Sequence, residues 1–570
     1  MADEGLVSHK RGPIKASVGN AAAQRRRQHA VTVGKERREA LMRTKRLCRV
    51  GVSGDFDEAS IDDSDMMIEE DQAILEALTS AAVEELKLDV AYQYGEYFLF
   101  CYEEVLVANK FALPFFFGAP PSLLDRGLEN DFCRSLHWGK GATEKRVNAL
   151  RELRRFLSRS EFPPVEAALQ AGAVPLLIQC LSFGSPDEQL LLTSYTHVTE
   201  SSHIEISLSC LLLEAAWCLT NIAAGKPEET KALLPALPLL VAHLGEKSSL
   251  HVVEQCAWAL GNVAGESEEL RNVLLLQGAL PALARMLLPN KRSTVRTAAW
   301  ALSNLIKGPD PRAATELIKI DGIPDRIVRH LKKGDDELAT EVAWVVVYLT
   351  ALSNVATTIL AKSDLVQVLV EILDMSTSLQ LLIPVLRSLG NLVAGDAIQA
   401  LVKCLKSEHR ILNKEAAWVL SNIAAGSVEH KRLIYSSEAM PLLLNLLSKA
   451  AFDIKKEVAY VLGNICVAPA EGSGRPNVIL DHLVNLVHGG CLTGFLDLVR
   501  SADVEAARLG LQFIELVLRG MPNGEGPKLV EREDGIDAME RYQFHENEEL
   551  RNMANELVDS YFGEEYGLDE

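Results

Sequence analysis

Five short segments of the chain place an indole or phenol ring and a carboxamide four residues apart: Trp217/Asn221, Trp258/Asn262, Trp300/Asn304, Trp418/Asn422 and Tyr460/Asn464. Two more segments keep the frame with changed residues, Trp344 with Tyr348 and Arg387 with Asn391. On a helix, residues four apart share a face, so ring and amide point the same way. A carboxamide donates and accepts, which suits the backbone of an extended peptide. Neighbouring rings leave slots for a Lys or Arg stem and add a cation–π contribution. Acids stand nearby: Glu266 eight residues after Trp258, and Glu341, Glu415 and Glu457 three before Trp344, Trp418 and Tyr460. The chemistry expected is non-covalent capture of an extended Lys/Arg-rich peptide. A lone Trp is more often core packing. Here five of the six Trp share one repeat position and four of those have Asn four residues later, which points to a surface ladder.

The elements that position this ladder follow from its spacing. Successive segments are 41, 42, 44, 43, 31 and 42 residues apart, which is the period of armadillo and HEAT repeats. Each unit reads as helices, with joints such as Gly172-Ala173-Val174-Pro175 and Gly278-Ala279-Leu280-Pro281. Gly stops one helix and Pro suits the first turn of the next. One unit cannot bury its apolar face alone, so units stack into an all-α solenoid with a concave groove lined by the same helix of each repeat.

Composition excludes other classes. Apolar residues make up 48% and charged residues 24% of 570, ordinary for a globular chain. The ten Cys show no C-x-x-C pair, so neither a zinc site nor a disulfide framework is expected, and a reduced compartment fits. The first thirty residues have no apolar core of a secretory leader. The longest apolar run, Tyr97–Gly118, is broken by Glu103, Glu104 and Lys110, so no membrane insertion is expected. No phosphate loop, Ser/His/Asp setting or metal cluster is present in the sequence. The expectation is a binding protein, not an enzyme, with no catalytic residues, metal or cofactor.

The net charge of −20 is unevenly spread. Residues 1–50 carry net +9 and 51–90 net −12, leaving −17 on the rest. The first block is read as a basic arm, the second as an extended, solvated acidic linker. An acidic body disfavours direct binding of nucleic acid and favours basic partners. The arm's cations are Arg25, Arg26, Arg27, Lys35, Arg37, Arg38, Arg43, Lys45 and Arg46, with Leu41 and Met42 as the apolar foothold of an amphipathic helix.

Three places break the repeat. Residues 91–138 are an insertion outside the frame; 92–138 hold 12 of the chain's 33 aromatics. Leu192 to Leu212 is Ser/Thr-rich and β-prone, and separates segments that would otherwise join as one helix. About eleven residues, one helix and its turn, are missing after Gly395-Asp396. The repeats are thus bounded at 139–520, with 521–570 a last repeat and acidic tail. Retained intervening sequence and a skipped segment, or lineage-specific insertion, would each give this pattern.

The ladder in this order resembles that of the importin-alpha family, the armadillo adaptors of nuclear import, most closely its divergent plant type, the alpha-9 group. The resemblance covers about 8–90 and 140–570. It implies a right-handed superhelix and a major site for nuclear localisation signals at Trp217/Asn221, Trp258/Asn262 and Trp300/Asn304. Family contacts to the principal lysine fall on Gly225, Thr230 and Glu266, with Gln255 beside them; Glu266 stands where Asp is usual. A minor site is implied at Glu415, Trp418, Asn422, Glu457, Tyr460 and Asn464, with Tyr348, Arg387 and Asn391 at the break between the sites. Tyr460 replaces the usual Trp, implying a shallower slot. The arm resembles the importin-beta-binding domain. Phe544-His545-Glu546-Asn547-Glu548 and Asp559-Ser560-Tyr561-Phe562 resemble the last repeat, which in the family meets the export receptor with Ran-GTP. These parts imply a cargo adaptor shuttling between cytoplasm and nucleus. The alternatives are an armadillo scaffold without a transport role, or a defective isoform with disrupted repeats.

In the family the arm's basic cluster competes with cargo. Here Leu47-Cys48 interrupts it after Lys45-Arg46. Each lost charged contact in a partly exposed groove is worth about 1 kcal/mol. Deleting residues 1–50 is therefore expected to tighten binding of a monopartite signal peptide by less than about tenfold, or ~1.4 kcal/mol. Titration of a fluorescent peptide against full-length and truncated chains at physiological salt measures it. A gain of about a hundredfold would show that the interrupted cluster docks fully.

Overall fold

Apolar residues recur at helical spacing between short polar joints, and the joints carry the residues that start and stop helices. Ser267, Asp335, Ser353 and Asp503 each accept a hydrogen bond from a backbone N–H in the first turn of the helix that follows. Gly278 sits at φ 77°, between two short helices of one repeat. A Cβ there would meet nothing within 4 Å, so its requirement is conformational alone.

The structure, a computed structural model, describes residues 76–84, 87, 145–158, 163–182, 201–245, 248–288, 292–393, 395–467 and 477–563. The basic arm and the aromatic-rich stretch 91–138 lie outside the described residues. Among the described residues all regular structure is helical. The chain divides into two compact units, one up to Gly308 and one from Pro309.

Each repeat ends in a long helix, and the first seven of these carry one ladder pair each. In the first unit these are α1 (Ser201–Ile222), α2 (Leu250–Glu266) and α3 (Arg292–Ile306), packed in that order. In the second they are α4 (Asp336–Leu352), α5 (Leu379–Leu392), α6 (Arg410–Ala424), α7 (Phe452–Ile465), α8 (Val504–Gly520) and α9 (Glu548–Phe562), again each against the next. The Ala before each ring is fully buried, at Ala216, Ala257, Ala299, Ala343, Ala417 and Ala459. Only so small a side chain lets the long helices approach, and the Leu two residues after most rings closes the core behind it.

Two sequence expectations are corrected. The stretch from Leu192 to Leu212 was expected to be β-prone, yet from Ser201 onward it is helical and continuous with the Trp217 segment in α1. Extending a helix already nucleated by packed residues costs little, so Ile204 and Ile206 do not stop it. Leu211 and Leu212 are buried, and the Ser209 hydroxyl donates to that of Ser249 ahead of α2. The acidic block 51–90 was expected to be solvated throughout. Its residues 76–84 form a helix with Thr79, Ala82 and Val83 buried.

The short step after α5 is a deleted helix. Elsewhere a long helix is followed by a first short helix, such as Glu268–Leu276, Asn354–Ala361 or Val428–Tyr435. After Leu392 the chain instead turns through Gly395–Ala397 straight into Ile398–Leu405, which packs against α6. The turn is closed by Val393 at φ 53°, ψ 47°. A β-branched residue in the left-handed region costs about 1–2 kcal/mol.

Gly278 and Val393 thus occupy similar backbone with opposite fitness. Val393→Gly is expected to stabilise the second unit by about 0.5–1 kcal/mol, after the entropy cost of glycine. Gly278→Ala should destabilise the first by about 1 kcal/mol. Denaturation midpoints of the two variants should move in opposite directions.

Candidate peptide-binding ladders

The rings and amides of the two ladders do different jobs. In the first, Trp217 and Trp258 are half-buried, whereas Trp300 is 4% exposed. Trp300 packs against Gly261, where any Cβ would strike the ring. Trp418 rests on Gly390 in the same manner. The small residue before the ladder Asn is thus a seat for the next repeat's ring. The Asn side chains are deeper than a surface ladder requires: Asn221, Asn262, Asn304, Asn391, Asn422 and Asn464 are 1–8% exposed. This corrects the expectation of a surface ladder as far as the amides are concerned.

Their burial is satisfied across repeats. Asn262 Nδ2 donates to the Thr220 carbonyl at 3.2 Å, Asn304 to Gly261 at 3.1 Å, Asn391 to Val347 at 3.1 Å and Asn464 to Ser421 at 3.0 Å. In each case the acceptor is the residue before the preceding repeat's ladder position. Asn221, at the start, donates to the Ser158 hydroxyl at 2.9 Å. These five amides, at Asn221, Asn262, Asn304, Asn391 and Asn464, therefore spend an N–H on holding the stack.

The first ladder carries its own cations at its ends. The Arg154 guanidinium lies 4.3 Å from the centre of the Trp217 ring and donates to Glu214 at 2.7 Å. Lys307 Nζ lies 3.3 Å from both Asn304 Oδ1 and the Gly265 carbonyl. Between them sit Gly225, half-buried, Gln255, whose backbone and side-chain oxygens accept from the Thr220 hydroxyl, and Glu266 at the end of α2. Thr230 is fully buried, its hydroxyl donating to the carbonyls of Ala223 and Lys226. It shapes the turn that presents Gly225.

In the second ladder the ionisable groups are paired inward. Arg387 lies over the Trp344 ring at 5.6 Å and forms a bidentate pair with Glu415 at 3.0 and 2.5 Å. Both partners are buried. Glu415 was expected to meet an incoming cation, and it already holds an internal one. Tyr348 is fully buried, its ring tilted by 31° against that of Trp344 with centroids 6.1 Å apart. The Tyr460 hydroxyl donates to Glu505 at 2.6 Å, and Lys456 bridges Asp503 and Glu505. Glu457 is half-buried.

With this geometry in place the relatives are informative. The armadillo/beta-catenin-like repeat family matches residues 268–307, 396–425 and 427–467. The chain is 62% identical to importin subunit alpha-9 of Arabidopsis thaliana, with all of both chains covered. It is 54% identical to importin subunit alpha-2 of Oryza sativa subsp. japonica, over 99% of this chain and 97% of that one. The chain belongs to the importin alpha family. Among solved structures, an engineered protein 25% identical to it superposes with a TM-score of 0.59, covering 74% of this chain and 95% of the other.

Within this importin alpha chain, sequence reasoning missed the groups that come from outside the ladder frame. Arg154, Ser158 and Lys307 were not singled out, because their roles depend on which helices stack. Lys431 is the clearest case. It is 3% exposed, and its Nζ donates to the Ala424 and Asn464 carbonyls, both at 2.6 Å. Its nine-residue offset from Asn422 is the offset of Thr230 from Asn221, a signal that was legible but unread. Among the described residues no group of three His, Cys, Asp or Glu could hold a metal ion. The buried thiols of Cys180, Cys256, Cys404, Cys466 and Cys491 are all pushed up by burial, away from nucleophilic use at neutral pH.

Burial also lowers the Lys431 amine to about 8. A lowered lysine is a charging penalty, present in full below pH 8 and removed as the pH rises to the unfolded value near 10.5. Stability of the second unit should therefore rise through this window by on the order of 3 kcal/mol relative to Lys431→Met. Melting both chains at pH 7 and pH 10 checks it; parallel shifts would contradict the assignment.

Proposed function

We propose that this chain, a nuclear import adaptor by family, takes the basic signal of its cargo along the first ladder. An extended Lys/Arg-rich peptide lies across Trp217, Trp258 and Trp300, its backbone held by the carboxamides of Asn221, Asn262 and Asn304. Its principal lysine meets the Gly225 carbonyl and the Glu266 carboxylate, with Gln255 beside them. The observation that carries this reading is the regular cross-repeat bond of the ladder amides. It fixes each ring and each amide oxygen before any peptide arrives, so little ordering remains to be done on binding.

The basic arm at 1–50 is the segment that engages importin-beta and couples cargo to it. The last repeat, with Phe544 93% exposed ahead of α9, is the surface for the export receptor with Ran-GTP. On this reading the chain shuttles between cytoplasm and nucleus. It works without a cofactor, catalytic residues, direct nucleic-acid contact or membrane insertion.

Trp258→Ala with Asn262→Ala removes a slot wall and a backbone clamp from the centre of the ladder. A loss of about 2–4 kcal/mol in affinity for a Lys-Lys/Arg-x-Lys/Arg peptide is expected, as for a central hot spot. Part of that loss comes from the staple to Thr220, so circular dichroism must show the variant folded. Unchanged affinity in the folded variant would sink the assignment.

A further inference from the structure

At four ladder positions the residue nine places on has one structural role. It donates to the carbonyl two places after that ladder position. Thr230 does so to Ala223, Arg271 to Ala264 at 3.1 Å, Thr357 to Thr350 at 3.0 Å and Lys431 to Ala424. At the first ladder this place belongs to the set that surrounds the principal lysine: glycine at four, threonine at nine, and an acid four places after the next ladder Asn. That set is Gly225, Thr230 and Glu266.

The same frame in the second ladder gives a different set. After Asn422 it reads Gly426, Lys431 and Ala468, the last outside the described residues. The neutral hydroxyl has become an ammonium, and the acid an alanine. Lys431 reaches further than Thr230 does. Its Nζ spans from Ala424 at the end of α6 to Asn464 on α7, so a cation already sits between two ladder helices. One repeat earlier, after Asn391, the first short helix that would carry the ninth residue is deleted. Two acids beside this ladder are engaged too: Glu415 by Arg387, and Glu505 by Tyr460 and Lys456.

We propose that the second ladder is filled from within, with Lys431 standing where the first ladder takes the principal cargo cation, so that the chain reads a single basic cluster. A second cluster of a two-part signal would meet a positive charge and no carboxylate at the matching place. Like charges at short range in a partly buried groove repel strongly. The inference rests on the first ladder being the cargo site.

The test is calorimetric titration of the full chain at pH 7 with a short peptide bearing one Lys/Arg cluster. The wild type should bind one peptide. Lys431→Thr, which copies the geometry of Thr230, should expose a second binding event at least tenfold tighter than any second event in the wild type. If that variant is not folded, Lys431→Met removes the charge at similar volume and should move the second event the same way. Two comparable events in the wild type, or no second event in either folded variant, would overturn the inference alone. No binding by the wild type would instead overturn the assignment of the first ladder.

Discussion

One bond recurs from repeat to repeat: a ladder asparagine donates its amide N–H to a backbone carbonyl of the repeat before it. A solenoid has no central core to fix the register of its units, so each interface must define itself. Apolar packing of Ala and Leu on the long helices supplies cohesion but little direction. The amide supplies direction. A buried carboxamide without a partner costs about 1–3 kcal/mol, so a slipped register is penalised at every interface where the bond occurs. The same constraint places the ring of the next repeat on the small residue beside that carbonyl, as Trp300 does on Gly261.

This bond also explains how a binding surface can be deep. The amides are nearly buried, and at Asn262, Asn304, Asn391 and Asn464 an N–H is spent on the stack. Arg154 and Lys307 occupy the ends of the first ladder, while Glu266 lies between them. The second ladder has the same scaffold with its charges turned inward. Family membership carries the scaffold, and the individual ionisable residues decide what each half receives.

Much of this was legible in the sequence. The ring–amide spacing and the step near 42 residues dictate stacked helices, and the helices are where that spacing puts them. The deletion after α5 was visible as a short step. The failures have physical causes. Ser201 to Leu212 reads as β-prone in isolation, but local propensity yields when a segment continues a packed helix. The acidic block was judged by net charge, although Thr79, Ala82 and Val83 give it one buried face. The depth of the asparagines was misjudged because their partners are backbone carbonyls some 42 residues away, which carry no sequence signature. Arg387 with Glu415 was hidden for the same reason, whereas the offset of Lys431 from Asn422 was legible and its two carbonyl partners were not.

The central claim is that the ladder up to Asn304, and it alone, presents pre-set rings, amide oxygens and an acid to a basic peptide. The most direct measurement is a crystal structure of the full chain with a peptide bearing two Lys/Arg clusters. The account predicts one cluster along Trp217, Trp258 and Trp300, a lysine amine between the Gly225 carbonyl and Glu266, and no ordered peptide at Trp418 and Tyr460. A peptide ordered along Trp418 and Tyr460, with the amine of Lys431 displaced from the Asn464 carbonyl, would contradict it.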